Sequence, residues 1–136
     1  MNAQTERLML TGLVGTIEAL RDQPVGVTKG VAVIAHPHPL FGGTMDNKVV
    51  QTLARAFVQA GWECIRFNFR GVGASAGAYD AGAGELQDLL QVVTQVAPQW
   101  PIALAGFSFG AFVTSHAAAA LWPSERVEKI VLVGTA

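Results

Sequence analysis

Continuous apolar runs alternate along this chain with segments whose apolar residues recur every three or four positions. The continuous runs are typical of buried strands, and the spaced segments are typical of amphipathic helices. The predicted strands cover residues 7–11, 14–20, 30–35, 63–69, 101–105 and 129–134. The predicted helices cover residues 47–60, 84–97 and 109–121.

This alternation predicts an α/β fold class, with a mostly parallel sheet and helices on both faces. The first two strands, which a turn at Gly12 separates, are expected to form an antiparallel pair at a sheet edge. Asp46 is a candidate N-cap of the first helix, Gly61 its stop, and Pro98 the end of the second helix. With no internal repeat and no linker, residues 1–136 are expected to form a single domain.

A Gly-Phe-Ser-Phe-Gly segment at residues 106–110 lies between the fifth predicted strand and the third predicted helix. A serine on a sharp strand-to-helix turn needs small residues two positions to either side, because a Cβ there would collide with the backbone. Gly106 and Gly110 meet that requirement. Ser108 is therefore the candidate nucleophile, and the alternative is a glycine-rich turn that merely contains a serine.

Composition supports one compact domain, since the 136 residues are 51% hydrophobic and 14% charged. A formal net charge of -1 gives no reason to expect nucleic acid or an anionic membrane surface as a partner. Residues 1–12 lack the layout of a signal peptide, and no apolar run is long enough to span a bilayer. The single cysteine, Cys64, lies in an apolar run and is expected to be a buried hydrophobe, which fits a cytoplasmic location.

Four segments together resemble the α/β-hydrolase superfamily, and within it the small serine hydrolases related to dienelactone hydrolase. They are His-Pro-His-Pro-Leu-Phe-Gly-Gly at 36–43, Asn-Phe-Arg-Gly-Val-Gly-Ala-Ser at 68–75, Tyr79-Asp80 with Gly84-Glu85, and the serine segment at 106–110. The resemblance covers nearly the whole chain and matches the N-terminal portion of that fold. It implies an esterase-like hydrolase that needs no cofactor and acts on a small-molecule acyl substrate.

An ester-cleaving serine needs backbone N–H donors for the oxygen that becomes negative during the reaction. Phe109 is expected to supply one, because its amide follows the serine at the start of a helix and has no partner within that helix. The second donor is expected from the loop after the third strand, where the two prolines have no N–H to offer. The candidates are His38, Leu40 and Phe41, of which Leu40 is favoured.

The three histidines are unequal candidates for the general base that must reach Ser108. His116 lies about 12 Å along the helix from the serine at ~1.5 Å per residue, which is too far. His36 and His38 lie on the loop that the resemblance assigns to the oxyanion hole, so they are expected to be loop braces or substrate contacts. No third ligand follows this pair at a suitable spacing, so no metal site is predicted.

In the resemblance, the triad acid and then the histidine follow strands later than the serine. Both are therefore expected beyond residue 136, in a fold truncated after its sixth strand or completed by a complementing C-terminal fragment. Asp80, Glu85 and Asp88 precede the serine and are expected to be structural, as a cap, a surface charge or a partner for Arg70.

Two other functions fit parts of the sequence. Residues 71–76 match a permissive dinucleotide fingerprint, but Gly77, Gly82 and Gly84 continue a loop where that fingerprint should open a helix. The second alternative is a non-catalytic hydrolase-fold module that acts through partner association, for example as a homo-oligomer formed at an exposed edge strand.

Overall fold

A computed structural model describes residues 4–97, 101–122 and 126–136, and a six-stranded sheet forms its centre. The strands are β1 (Glu6–Gly12), β2 (Gly15–Asp22), β3 (Val31–Ala35), β4 (Glu63–Phe67), β5 (Ile102–Phe107) and β6 (Val127–Val133). The helices are α1 (Lys48–Gln59), α2 (Ala83–Val96) and α3 (Phe109–Leu121), with a 3₁₀ turn at Pro39–Phe41. Within the three described stretches, no helix combines the length and the apolarity needed to cross a bilayer.

The strands lie in the order β1-β2-β4-β3-β5-β6. The four strands from β4 to β6 in that order pair in parallel, as expected when helices connect them. β1 pairs with β2 antiparallel, and β2 in turn pairs antiparallel with β4. The predicted α/β fold class and the antiparallel pair at the sheet edge are therefore confirmed.

Helices cover both faces of the sheet, and β3 shows why the sequence requires it. Every residue of β3 is buried. Because side chains alternate along a strand, Val31, Val33 and Ala35 join the core beneath α2 and α3, whereas Ala32 and Ile34 join the core beneath α1. An apolar residue at each position is what a strand covered on two sides needs.

The cap of α1 differs from the prediction by one residue. The Asn47 side-chain oxygen accepts hydrogen bonds from the amides of Val49 at 2.9 Å and Val50 at 3.2 Å. These bonds make Asn47 the N-cap and leave Asp46, the predicted cap, one position outside the helix. The predicted stop of α2 at Pro98 lies outside the described residues, and α2 ends at Val96.

β4 ends two residues earlier than predicted, because the chain turns out of the sheet after Phe67. The Asn68 amide donates to the Glu18 carbonyl at 2.9 Å, and the Phe69 amide donates to His36 Nε2 at 3.0 Å. β6 also begins earlier than predicted, at Val127. The departure of the chain after β4 carries it across the end of the sheet where β3 and β5 also finish.

Residues 71–76 form turns, and the next helix begins only at Ala83, so these glycines do not open a helix as a dinucleotide fingerprint requires. The Glu18 carboxylate holds this segment by accepting hydrogen bonds from the Ala74 amide and from Asn68 Nδ2, each at 2.9 Å. The bond from Ala74, together with Asn68 and Arg7, holds the pKa of Glu18 below its ordinary value. The segment is thus a loop fastened to β2.

Candidate active site

Ser108 occupies a sharp turn between the last residue of β5 and the first residue of α3. Its backbone angles are φ 58° and ψ -116°. Among the described non-glycine residues, only Ser108 and Ala81 have a positive φ. Such a conformation costs an L-residue ~1–3 kcal/mol and is found where function requires it. The serine is half-exposed at this turn.

The two glycines that flank the serine leave room for backbone rather than for side chains. A Cβ on Gly106 would lie 2.4 Å from the Gly110 carbonyl oxygen. A Cβ on Gly110 would lie 2.3 Å from the Ala35 carbonyl oxygen and 2.4 Å from that of His36. A Cβ at either position would therefore collide with backbone. At Gly106 this is the backbone of the turn itself, as expected, whereas at Gly110 it is the backbone at the end of β3, which packs against the turn.

The backbone around Ser108 is anchored on one side and open on the other. The Ser108 amide donates to the Val133 carbonyl at 2.9 Å, and the Ser108 carbonyl accepts from the amides of Phe112 at 3.1 Å and Ala136 at 3.3 Å. The Phe109 amide, at the first position of α3, has no hydrogen-bond partner among the described residues. An unpaired N–H at a helix start favours an anion.

The amides of the loop after β3 differ in whether they already have a hydrogen-bond partner. The Leu40 amide already donates to His38 Nδ1 at 3.2 Å, because the His38 side chain caps the 3₁₀ turn. The amides of Phe41 and Gly43 both donate to the His38 carbonyl, at 3.1 and 3.0 Å. The His38 amide has no such bond to any described residue. The geometry therefore favours His38, one of the three candidates, over Leu40.

His36 is fully buried beneath this loop. Its Nε2 accepts from the Phe69 amide at 3.0 Å, which places the proton on Nδ1, 2.6 Å from the Pro37 carbonyl oxygen. Burial lowers the pKa of His36 to about 4, and the bond to Pro37 opposes that shift. Of the two roles expected for His36, its burial supports the loop brace and leaves no surface for a substrate.

His38 is half-buried, and its ring lies among aromatic side chains beside the serine turn. The ring centroids of Phe41, Tyr79 and Phe109 are 4.7, 4.9 and 4.9 Å from that of His38. The Tyr79 hydroxyl lies 3.1 Å from His38 Nε2. Phe41 is 84% exposed, so this aromatic group faces solvent next to the turn.

His116 lies on an exposed face of α3, where its ring contacts Phe112 with centroids 4.8 Å apart. In the part of the chain that the structure describes, no side chain is hydrogen-bonded to the Ser108 hydroxyl. No group of three His, Cys, Asp or Glu side chains in that part could hold a metal ion.

The acidic residues before the serine are structural. Asp88 receives Arg70 Nε at 3.0 Å and Arg70 Nη2 at 2.8 Å, and these hydrogen bonds raise the pKa of Arg70. Glu85 is fully buried and accepts from the amides of Asp80 at 2.8 Å and Gly82 at 2.9 Å. Both carboxylates fix the start of α2, as expected of a cap and of a partner for Arg70. No pattern in the sequence indicates the hydrogen bond between Tyr79 and His38.

The alpha/beta hydrolase fold family matches residues 38–136, which is most of the chain. This chain belongs to the α/β-hydrolase fold family. A lidless α/β serine hydrolase from Xanthomonas campestris is 42% identical, with a TM-score of 0.84 over 96% of this chain and 62% of that one. An α/β serine hydrolase homologue from Coxiella burnetii is also 42% identical, with a TM-score of 0.84 over 97% of this chain and 64% of that one.

A curated relative, an uncharacterized protein of Rickettsia prowazekii, is 36% identical over 111 residues. That match covers 79% of this chain and 47% of the relative. The chain thus spans less than two thirds of the length of these three relatives.

Proposed function

We propose that this chain carries the nucleophile of a serine hydrolase that cleaves carboxylic esters or related acyl compounds through an acyl-enzyme on Ser108. The observation that carries the proposal is the strained backbone of Ser108 at the β5–α3 junction, beside the unpaired Phe109 amide. Strain at one half-exposed serine, held by glycines that leave no room for a Cβ, is consistent with a nucleophile elbow. The substrate would be a small acyl compound and the location cytoplasmic, with no cofactor.

In the proposed reaction, Ser108 Oγ forms a bond to the acyl carbon while its proton passes to a general base. The carbonyl electron pair moves onto oxygen, where the amides of Phe109 and His38 would bind it. A single donor of this kind contributes about 3 kcal/mol to the transition state. When the pair returns, the alkoxide leaves with the proton from the base, and water then releases the acid by the same route.

The base and the acid that orients it are proposed to lie beyond residue 136. Among the described residues, no histidine is hydrogen-bonded to the Ser108 hydroxyl. His36 is buried in other hydrogen bonds, both ring nitrogens of His38 are bonded to Leu40 and Tyr79, and His116 lies further along α3. The serine hydrolases from Xanthomonas campestris and Coxiella burnetii are longer than the part that this chain matches. The two residues could belong to the same polypeptide or to a complementing C-terminal fragment.

A fluorophosphonate probe tests the proposal directly, because it reacts with an activated serine and leaves a covalent mass. The protein is purified at its native length, verified by intact mass, and labelled as wild type and as Ser108→Ala. We expect the label on the peptide that contains Ser108, and none in Ser108→Ala. Ser115→Ala, which removes a hydroxyl from the side of α3, is the control and should label like wild type. An unlabelled wild type would remove the proposal.

A second candidate is a module that acts through partner association, and the outer edge of β6 favours it. Ile130 and Leu132 on this strand are each 41% exposed, and β5 is the only described strand that pairs with β6. An apolar edge strand can pair with another chain, either a second copy or a complementing fragment. Ile130→Lys should lower self-association in sedimentation if this candidate is right, whereas Glu128→Lys is the exposed control.

A further inference from the structure

The hydrogen bonds of the His38 ring fix which of its nitrogens carries the proton. Nδ1 accepts from the Leu40 amide at 3.2 Å, so a neutral ring has no proton there. The proton is then on Nε2, and Nε2–H donates to the Tyr79 hydroxyl oxygen 3.1 Å away. The Leu40 amide, which can only donate, therefore selects this tautomer, and the Tyr79 hydroxyl holds the ring in the orientation that keeps Nδ1 on Leu40.

Tyr79 is itself held in place by buried groups. Its neighbour Asp80 donates its amide to Glu85, which is fully buried and also receives the Gly82 amide. The Tyr79 ring packs on Phe109 with centroids 5.9 Å apart, so it touches the residue after the serine as well. Ala81, the second described non-glycine residue with a positive φ, lies in this same short segment. The start of α2 thus fixes the position of the Tyr79 hydroxyl.

The direction of the His38 amide depends on these contacts. The His38 side chain accepts a hydrogen bond from the Leu40 amide, and the His38 carbonyl accepts hydrogen bonds from the amides of Phe41 and Gly43. Releasing the ring from Tyr79 would allow it to rotate, so that Nδ1 no longer stays within hydrogen-bond distance of the Leu40 amide. The peptide groups on either side of His38 would then lose the cap that orients them.

We propose that Tyr79 is a positioning residue: by hydrogen bonding to His38 Nε2, it holds the His38 amide in the direction that receives the oxyanion at Ser108. This inference rests on the proposed function and adds to it a group that never touches the substrate. Replacing an oxyanion donor costs 10²–10³-fold in kcat, so disturbing its direction should cost less, roughly 10-fold.

The test compares Tyr79→Phe with wild type in the hydrolysis of p-nitrophenyl acetate at native length. Removing the hydroxyl keeps the ring contacts with His38 and Phe109. We expect kcat to fall about 10-fold with KM changed by less than about twofold, since the lost interaction acts in the transition state. Thr94→Val is the matched control, because it removes a hydroxyl from α2 that bonds only to the Leu90 carbonyl, and it should leave both constants unchanged.

A spectroscopic readout separates positioning from a general loss of structure. The ring nitrogen chemical shifts of His38 should show the Nε2–H tautomer in wild type. In Tyr79→Phe they should show a mixture of tautomers, because a ring that has rotated away from the Leu40 amide no longer has the donor that selects one. His38→Asn keeps an acceptor near Nδ1 but cannot reach Tyr79, so it should lose about as much kcat as Tyr79→Phe. The double variant should lose little more, because both changes remove the same bond.

The outcomes distinguish the two proposals. A wild type that neither turns over the ester nor labels at Ser108 overturns the proposed function, and this inference falls with it. An active wild type whose Tyr79→Phe variant matches Thr94→Val overturns the inference alone. Should Tyr79→Phe fail to fold, full activity in His38→Asn or a wild-type His38 ring with its proton on Nδ1 would overturn it.

Discussion

The position that a Cβ of Gly110 would occupy lies 2.3 Å from the carbonyl oxygen of Ala35, so the first turn of α3 rests directly on the end of β3. That contact brings together two parts of the candidate site that are far apart in sequence. The serine turn precedes Gly110 by two residues, and the loop that carries His38 follows Ala35. Since backbone touches backbone, neither side can move away by changing a rotamer.

Gly110→Ala should therefore destabilise the protein by about 2–3 kcal/mol, as overpacking against rigid backbone does. In a helix without this contact, the same change would stabilise by about 1 kcal/mol through better helix propensity. Urea unfolding measures the difference. Gly26→Ala is the control: its Cβ would meet nothing within 4 Å, but its φ of +82° makes a loss of about 1 kcal/mol expected. A Gly110→Ala variant more stable than wild type would contradict the contact.

Ser108 should prefer glycine over alanine, because only glycine adopts φ 58° without strain. Both replacements remove the hydroxyl, so their difference reports backbone strain, and we expect Ser108→Gly to be more stable than Ser108→Ala by about 1 kcal/mol. The order should reverse at Ser115 within α3, where glycine is worse than alanine by about 1 kcal/mol. Thermal unfolding gives both comparisons. If Ser108→Ala were more stable than Ser108→Gly, as is expected of the corresponding variants at Ser115, the serine turn would not be strained.

The features that the sequence predicted are those whose cause is local. Gly106 reports a steric requirement within five residues, because its Cβ would meet the Gly110 carbonyl oxygen, and the apolar run of β3 reports burial on both faces, so both were readable. The sequence spacing also predicted a glycine at 110, although the backbone that its Cβ would meet belongs to the end of β3. The choice of Asn47 over Asp46 as the cap of α1 was not readable from the sequence, because both residue types cap helices and the two residues are adjacent.

The rest of the site depends on groups that meet only in the folded chain. The bond from Asn68 to Glu18 joins residues 50 positions apart, and that between His38 and Tyr79 joins residues 41 apart. No periodicity records such pairs. Sequence alone does not show which of the His38, Leu40 and Phe41 amides faces the serine, because the tautomer of the His38 ring decides whether the Leu40 amide is free.

Asp88→Ala should cost about 3–5 kcal/mol, because it leaves the guanidinium of Arg70 largely buried without its partner. Asp88 accepts two bonds from that guanidinium and one from the Arg70 amide at 3.2 Å. The control is Glu6→Ala, which breaks the more exposed pair with Arg21 and should cost less than about 1 kcal/mol. Urea unfolding of both variants gives the comparison, and equal losses would mean that burial of the Arg70 pair contributes nothing.

His36 should make the stability of the protein depend on pH between about 6.5 and 4. Burial lowers its pKa in the folded chain from 6.5 to about 4, so below pH 6.5 the unfolded chain takes up a proton that the folded chain refuses. The contribution of the neutral His36 to the free energy of unfolding is fully present above pH 6.5 and is lost as the pH falls toward 4. Its total is on the order of 3 kcal/mol, with about 2 kcal/mol lost by pH 5.

His36→Gln isolates this contribution, because the Gln side-chain oxygen can still accept from the Phe69 amide near the place of Nε2 but does not titrate. Urea unfolding of both proteins from pH 7.5 to 5 should show a steeper loss in wild type, and the difference between the curves removes the other two histidines, which both proteins share. Glu18 interferes little, since its lowered pKa places its own effect below pH 4.5. Parallel curves would mean that His36 is protonated in the folded chain as readily as in the unfolded one. Its bond from Phe69 could not then be the brace that joins the loop after β3 to the end of β4.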